Sequence, residues 1–350
     1  MHRLFFVLIS LLVSQSFAAD VANLYQSQFP VLSQEEQERQ KVAPEILQQV
    51  ILKVVGDRSA LDTVDISSVL AQTERLVQQY QYHRVNSISD DLTKPDQLEV
   101  LLSFDKKNLD SALTNIGLPI WSRSRPEVLI WAAVEEGDKR AILSADDTES
   151  EIVQALKRTA IIRGLPTLMP VMDLQDQGQV TFTDLWADFS ETIESASQRY
   201  GSPVILMMKV TVLGDGLLRV NWHARINGES EQWQSRGDIN TAIQAGIEEL
   251  TDRLARRFSQ TANNQYENSL TLEISDVNDY SDYDRIVKYL TNLQYVSNVT
   301  VSNLVEDRLT LNLDFQGDLA VLDRTLAIDR VLFDESSYMS TDVKNYRLLP

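Results

Sequence analysis

Seven consecutive apolar residues, Val128 to Val134, run without a charge or a turn former among them. A stretch that short and that uniform reads as a β-strand buried on both faces, an environment supplied by a sheet with helices on either side. The neighbouring patterns continue the theme. Thr148 and Glu151 have capping-box spacing ahead of a helix that carries Ile152, Leu156 and Ala160 and closes at Gly164. A strand is expected over Leu168 to Leu174, then a helix over about Thr183 to Tyr200 with Leu185, Phe189, Ile193 and Ala196 facing inward. Val204 to Leu213, Leu217 to Ile226 and Gln232 to Arg236 alternate as three strands, joined by Gly214-Asp215-Gly216 and Asn227-Gly228 turns. Ile239, Ile243, Ile247, Leu250, Leu254 and Phe258 share one face of a long helix. Residues 119–260 therefore predict a central mixed α/β domain, its early strands parallel and its late ones antiparallel.

Smaller units flank it. Over residues 19–118, Ser33 and Glu36 open a helical pattern through Ile46, Val50 and Val54 that stops at Gly56 and should be kinked or split by Pro44. A second helix is expected to carry Val69, Thr73, Leu76, Val77 and Tyr80 on one face, followed by an alternating strand from Leu98 to Phe104 and a helix marked by Leu109, Leu113 and Ile116. The resulting βααβα order is that of a small N-terminal α/β domain. Beyond a polar linker, Ser259 to Asn268, residues 269–350 read as βαββα with a last strand over Tyr346 to Leu349, the order of a ferredoxin-like module. The fold class is a multidomain α+β and α/β chain.

The first residues carry a different message. His2 and Arg3 precede the apolar stretch Leu4 to Val13, and Ser16-Phe17-Ala18 places small residues at −3 and −1. That is the pattern of a secretory signal peptide, residues 1–18, cleaved after Ala18. No later segment reaches spanning length, since Pro203 to Leu213 is broken by Lys209, so no transmembrane anchor is expected in the mature chain. With no cysteine there is neither a lipid-anchoring thiol nor disulfide or thiolate chemistry. The expected location is the bacterial periplasm.

Charge narrows the partners. Against 32 Lys+Arg stand 51 Asp+Glu, a net charge of −19, which repels nucleic acid and anionic headgroups at long range. The 12 glycines leave few candidates for a phosphate-cradling loop, and the close pair Gly214 and Gly216 sits in a hairpin instead of before a helix. Only His83 and His223 follow the leader, with no paired spacing for zinc. Asp276, Asp279, Asp282 and Asp284 resemble a calcium loop in composition but lack its central glycine and closing glutamate; capping of a helix that starts near Ser281 explains them better. No serine lies in a nucleophile elbow. Neither cofactor nor metal is expected.

A few residues remain as interaction or ligand candidates. Asp173 and Asp176 are placed at the C-terminal end of a parallel strand, where α/β folds collect ligands. His223 shares the face of Arg219 and Arg225, opposite Val220, Trp222 and Ala224. Trp131 and Trp222 read as core anchors, whereas Trp121, Trp186 and Trp233 read as partly exposed, a property of interfaces.

Val54-Val55-Gly56-Asp57-Arg58, Val77-Gln78-Gln79-Tyr80, Arg163-Gly164-Leu165-Pro166, Pro170-Val171-Met172-Asp173 and Trp186 together resemble a family of Gram-negative envelope proteins known as domain of unknown function number two thousand and sixty-six. The resemblance implies export to the periplasm and brings Arg163 into the candidate set; it implies no reaction. More distantly, the order of elements in the central domain resembles periplasmic α/β domains of the curli-secretion channel, the penicillin-binding-protein activators and flagellar assembly protein T. The expected function is a non-catalytic adaptor that binds other envelope proteins. The alternative is a periplasmic ligand-binding protein or hydrolase that uses acidic loop residues of the central domain.

Overall fold

The computed structural model describes residues 19–21, 23–85, 97–226, 228–259, 267–293, 296–316, 319–329, 331–335 and 343–349. The expected signal peptide lies outside the described residues, as does most of the expected linker. The chain is a mixed α and β, multidomain fold; among the described residues the N-terminal and C-terminal units each have one hydrophobic core and the central unit has one on either face of its sheet.

The N-terminal unit contains β1 (Ala19–Asp20), β2 (Gln26–Pro30), α1 (Glu36–Val55), α2 (Arg58–Asp62), α3 (Ser67–Leu70), α4 (Thr73–Leu76), β3 (Val77–Val85), β4 (Gln97–Phe104) and α5 (Lys106–Asn115). Strands β2, β4 and β3 form an antiparallel sheet in that order, on which α1 packs. Pro44 neither splits nor ends α1. Ala43, Ile46, Leu47, Val50, Ile51 and Val54 are fully buried along its length. Burying five large apolar side chains, at about 1.5–3 kcal/mol each, exceeds the proline penalty of about 3 kcal/mol. The helix cap also differs from expectation, because Glu35 is the N-cap and Ser33 Oγ instead accepts from Glu35 N. Val77 to Tyr80 are strand and not helix: α3 and α4 are single turns, and the chain then pairs with β4, Tyr80 opposite Leu102 and Tyr82 opposite Val100. The i, i+3, i+4 spacing of Val69, Thr73 and Leu76 belongs to two short turns, and the β-favouring Val77, Tyr80 and Tyr82 follow tertiary pairing.

After β5 (Ser124–Arg125), which pairs with β1, the central unit is built on β6 (Val128–Glu136), the anticipated strand. It continues through β7 (Lys139–Leu143), α6 (Glu151–Arg163), β8 (Thr167–Leu168), α7 (Leu174–Gln179), α8 (Phe182–Ala187), α9 (Ser190–Ser197), β9 (Val204–Val212), β10 (Leu218–Ile226), β11 (Glu229–Gly237) and α10 (Ile239–Phe258). The sheet order is β11-β10-β9-β6-β7, with β8 and β9 parallel to β6, and β10 antiparallel to both β9 and β11. α6 through Val153 and Leu156 and α10 through Ile243, Ile247, Leu250 and Leu254 bury one face; α8 and α9 cover the other over β6 and β9 through Leu185, Ile193 and Ala196. On that second side Gln232, Gln234 and Arg236 of β11 remain exposed.

Two expected elements are shorter than the pattern predicts. The strand over Leu168 to Leu174 reduces to β8, because Pro170 removes a ladder donor and Asp173 begins a helix by accepting from Gln175 N and Asp176 N. The helix over Thr183 to Tyr200 is broken at Asp188, whose φ of 63° puts it in the left-handed region. Trp121, expected to be partly exposed, is fully buried.

The C-terminal unit runs β12 (Glu267–Ser275), α11 (Tyr280–Asn292), β13 (Val296–Val305), β14 (Arg308–Gln316), α12 (Leu319–Asp329), β15 (Leu332–Asp334) and β16 (Val343–Leu348), in sheet order β13-β14-β12-β16-β15. The βαββα order is present. However, the strand beside β12 is β16, and it runs parallel to β12, whereas a ferredoxin-like fourth strand runs antiparallel there. β15 and β16 pair at the sheet margin, which adds a fifth strand.

Candidate functional site

The sequence candidates separate into three places. Asp173 and Asp176 share a cluster with Arg199 and Tyr200 at the start of α7. Arg199 forks onto both oxygens of Asp173 at 2.8 and 2.9 Å and reaches Asp176 Oδ1 at 3.0 Å. Asp176 is fully buried, and its other oxygen accepts from Tyr200 OH at 2.6 Å and Met172 N at 3.0 Å. The guanidinium and two backbone N–H groups hold Asp173 far below the usual carboxylate range, while burial and the Asp176 carboxylate push Tyr200 up to about 12. General acid–base work needs a group with a pKa near the working pH. Asp173 is held far below that pH, and the hydrogen bonds from Arg199 to both carboxyl groups and from Tyr200 to Asp176 tie α7 to the end of α9.

Arg163 belongs to the joint between the N-terminal and central units. Its side chain is fully buried, and Nη2 donates at 2.6 Å both to the Gly56 carbonyl and to Asp252 Oδ1. Arg125, also fully buried, donates to the carbonyls of Lys53, Gly164, Arg163 and Ser122 and lies 4.1 Å above the Trp121 ring. Burial lowers the pKa of its guanidinium, and four carbonyl acceptors favour the cation. Arg58 closes the joint with Asp252 and Glu248. The Gly56-Asp57-Arg58 and Arg163-Gly164 motifs thus meet in space, 107 residues apart along the chain, as a structural clasp.

Trp186 and His223 converge on a groove of about 590 Å³ on the open side of the central sheet, bordered also by Asp188, Lys209, Asn221, Gln232 and Gln234. Strand alternation puts Lys209, Asn221 and Gln234 in one cross-strand row and His223 with Gln232 in the next. His223 lies on the side opposite Trp222, as the alternation of β10 predicts, and is buried there, which the alternation does not predict. Its Nδ1 lies 2.8 Å from both oxygens of Asp188, and its Nε2 bonds Ser230 Oγ. Asp188 can aim there because the left-handed break between α8 and α9 turns it toward the sheet. Trp186 is half-buried and stacks on Phe182 with centroids 5.0 Å apart, forming one wall; its carbonyl accepts from Lys209 Nζ at 3.3 Å. Trp233 borders the groove, but its ring packs the other way, stacked on Trp222 with Nε1 donating to the Gly246 carbonyl.

The polar groove residues absent from the sequence candidates are three amides, Asn221, Gln232 and Gln234, together with Lys209 and Asp188. For the amides the signal was available in the alternation Arg219, Asn221, His223 and Gln232, Gln234, Arg236, which places polar side chains on a face that a sheet core would fill with apolar ones. Among the described residues no group of acidic or histidine side chains is arranged to hold a metal ion. Asp279 caps α11 by accepting from Asp282 N, and Asp284 pairs with Lys288, in keeping with the capping reading of that cluster. No helix among the described residues is long and apolar enough to cross a membrane.

Comparison with known proteins adds a family match over part of the chain. The matching family model is Domain of unknown function (DUF8605), over residues 18–122, which differs in number from the envelope family that the motifs resemble. No curated protein matches the chain. Among solved structures, a competence or damage-inducible protein from Enterobacter asburiae is 17% identical, covering 43% of this chain and 93% of that one with a TM-score of 0.22. A competence-damaged protein (CinA) superfamily protein from Enterobacter cloacae is 16% identical, covering 43% and 88%, also at a TM-score of 0.22. At that score neither likeness bears on fold or function. The chain thus carries a match to a family of unknown function across its N-terminal unit, and its central groove must be read from its own chemistry.

Proposed function

We propose that this is an exported, non-catalytic binding protein of the bacterial envelope, an adaptor whose recognition surface is the groove on the central sheet. One observation carries the reading: the acids nominated for chemistry are locked in ion pairs and caps, whereas Gln232 and Gln234 stand exposed beside a half-buried tryptophan. Such a surface offers donors, acceptors and a flat apolar ring to a partner. The basic, apolar and small-residue sequence of residues 2–18 supports export. A photo-crosslinking amino acid placed at Gln232 or Gln234 in intact cells should give adducts of discrete mass, and one placed at the exposed Lys107 of the N-terminal unit should not. Equal labelling from all three positions, or none from the groove, would overturn the adaptor reading. Fractionation should recover the protein with the periplasm.

The Asp188–His223–Ser230 contacts favour a second reading. An exposed hydroxyl on one ring nitrogen and a carboxylate on the other is the connectivity of nucleophile, base and orienting acid. In acyl transfer, Ser230 Oγ would attack a carbonyl carbon while its proton passes to His223 Nε2 and on to the leaving group, and water would then release the acyl group. A fluorophosphonate probe decides between the readings. Labelling that is lost in Ser230→Ala and His223→Ala supports the hydrolase; no labelling supports the adaptor.

A further inference from the structure

One row of the central sheet is chemically out of balance. Across it stand Arg140, Glu135, Thr211, Arg219 and Arg236, in register from β7 to β11. Glu135 already accepts from Arg140. Arg219 and Arg236 are directly opposite each other on the open face, both are exposed, and among the described residues neither side chain makes a hydrogen bond or an ion pair. Like charges facing each other across two strands destabilise the pair. The other cations of this face are compensated: Arg225 pairs with Glu194, and Lys209 lies 4.0 Å from Asp188. In a chain with 51 acidic residues and 32 basic ones, counter-charge is abundant, yet none meets this pair.

We infer that Arg219 and Arg236 recognise a carboxylate of an extended acidic peptide whose neighbouring residues occupy the groove. This inference rests on reading the groove as the binding surface and names its occupant. The arginine row lies one pleat period from the Lys209–Asn221–Gln234 row, about 7 Å along the strands. That is the distance between residues i and i+2 of an extended peptide, so an acid seated between the guanidinium groups leaves a side chain two positions away over the groove. There Trp186 supplies a flat apolar wall. Gln234 donates to Asn221 Oδ1, and among the described residues the Gln234 carbonyl and the Asn221 amide N–H groups have no partner, which leaves them available to a peptide backbone. Paired guanidinium forks match carboxylate geometry, and an anion there removes the repulsion of the empty row.

The test is selection of random decapeptides displayed on phage against the full-length mature chain. Enriched sequences should carry Asp or Glu two residues from an aromatic or large apolar residue. Fluorescein-labelled copies should bind at least tenfold more weakly to Arg219→Gln/Arg236→Gln and to Trp186→Ala, and with unchanged affinity to Lys107→Gln; affinity should fall as salt rises. Circular dichroism of each variant separates lost binding from lost fold. Enriched peptides without an acidic preference, or with affinity unchanged in the double variant, would overturn the inference while leaving the groove reading intact. Failure to enrich any peptide would also overturn it, and binding of hyaluronan oligomers to the groove in that case would assign the arginines to a carboxylated saccharide. No peptide enrichment together with no groove crosslinks in cells would remove both readings.

Discussion

Arg163 shows how much a single buried charge can commit a fold to. Its guanidinium has no exposed surface, and among the described residues its Nε and Nη1 have no hydrogen-bond partner, so Asp252 supplies its counter-charge. Asp252→Ala would leave that charge uncompensated and should cost about 3–5 kcal/mol in urea unfolding. The double replacement Arg163→Met/Asp252→Leu should recover most of the loss, because well-packed apolar groups replace a buried ion pair at little cost. Lys53 sits beside the same clasp, with Nζ donating to the Gln26 carbonyl at 2.8 Å. Burial first, and the Arg125 charge second, bring its pKa down to about 8. An unfolded lysine keeps its proton to about pH 10.4, so above pH 8 the unfolded state binds more protons and stability rises with pH. The gain should approach a few kcal/mol by pH 10. Beyond that, Tyr25 and Tyr346, whose hydroxyls burial holds protonated, reverse the trend. Lys53→Met should flatten the rise between pH 8 and 10 in thermal melts, and an unchanged slope would show that another group carries it.

At the scale of elements, the tightest fit is between α10 and the sheet. A Cβ on Gly246 would lie 2.0 Å from Trp222 Cε2, inside a ring that is itself fixed by Ser235 Oγ at 2.8 Å and stacked on Trp233. Gly246→Ala should therefore destabilise by at least about 1–3 kcal/mol despite alanine's better helix propensity, measurable as a lowered urea midpoint at constant slope. Gly246 shows where sequence reading stops. The heptad-like stripe from Ile239 to Phe258 gave α10 its place and its inward face, but a glycine on that stripe looks like a weak point until the facing tryptophan is known. The same holds elsewhere. β6, β9, β10 and α6 were legible because burial on one or both faces imposes a period of 2 or 3.6 on their own residues. The change from helix to strand at Val77 and the break at Asp188 were not, since each is decided by a partner distant in sequence, β4 for the first and His223 for the second. Likewise Trp186 and His223 stood in the sequence as separate candidates, and nothing in their spacing says that they line one groove. Asp173 and Asp176 were misplaced for the converse reason: an acid three residues beyond a proline reads as a strand end, and only Arg199, 26 and 23 residues away, reveals the cap.

For the whole molecule, the distribution of buried bonds between units sets how it should come apart. The N-terminal and central units share Trp121 N to the Val54 carbonyl, Arg125 to Lys53, Arg163 to Gly56 and the Arg58–Asp252 pair, all packed where a Cβ on Gly56 would strike both Trp121 and Ala255. Units joined through buried charges and fully desolvated carbonyls lose those bonds together, so they should unfold as one. The C-terminal unit has its own core of Leu272, Ile274, Ile286, Leu290, Leu311 and Leu326 and meets the central unit where α12 approaches α10, with Arg324 Nε donating to the Arg257 carbonyl at 3.1 Å. Calorimetry of the full chain should accordingly show two transitions, one for residues 19–259 and one for residues 267–349. Asp252→Ala should move only the first. At about 2–4 °C per kcal/mol for a unit of 150–250 residues, a loss of 3–5 kcal/mol corresponds to a fall of roughly 6–20 °C. A fragment ending at Ser259 should keep that first transition where the full chain has it. A single transition shared by all three units, or one that Asp252→Ala shifts as a whole, would mean that the α10–α12 contact couples them as strongly as the arginine clasp does.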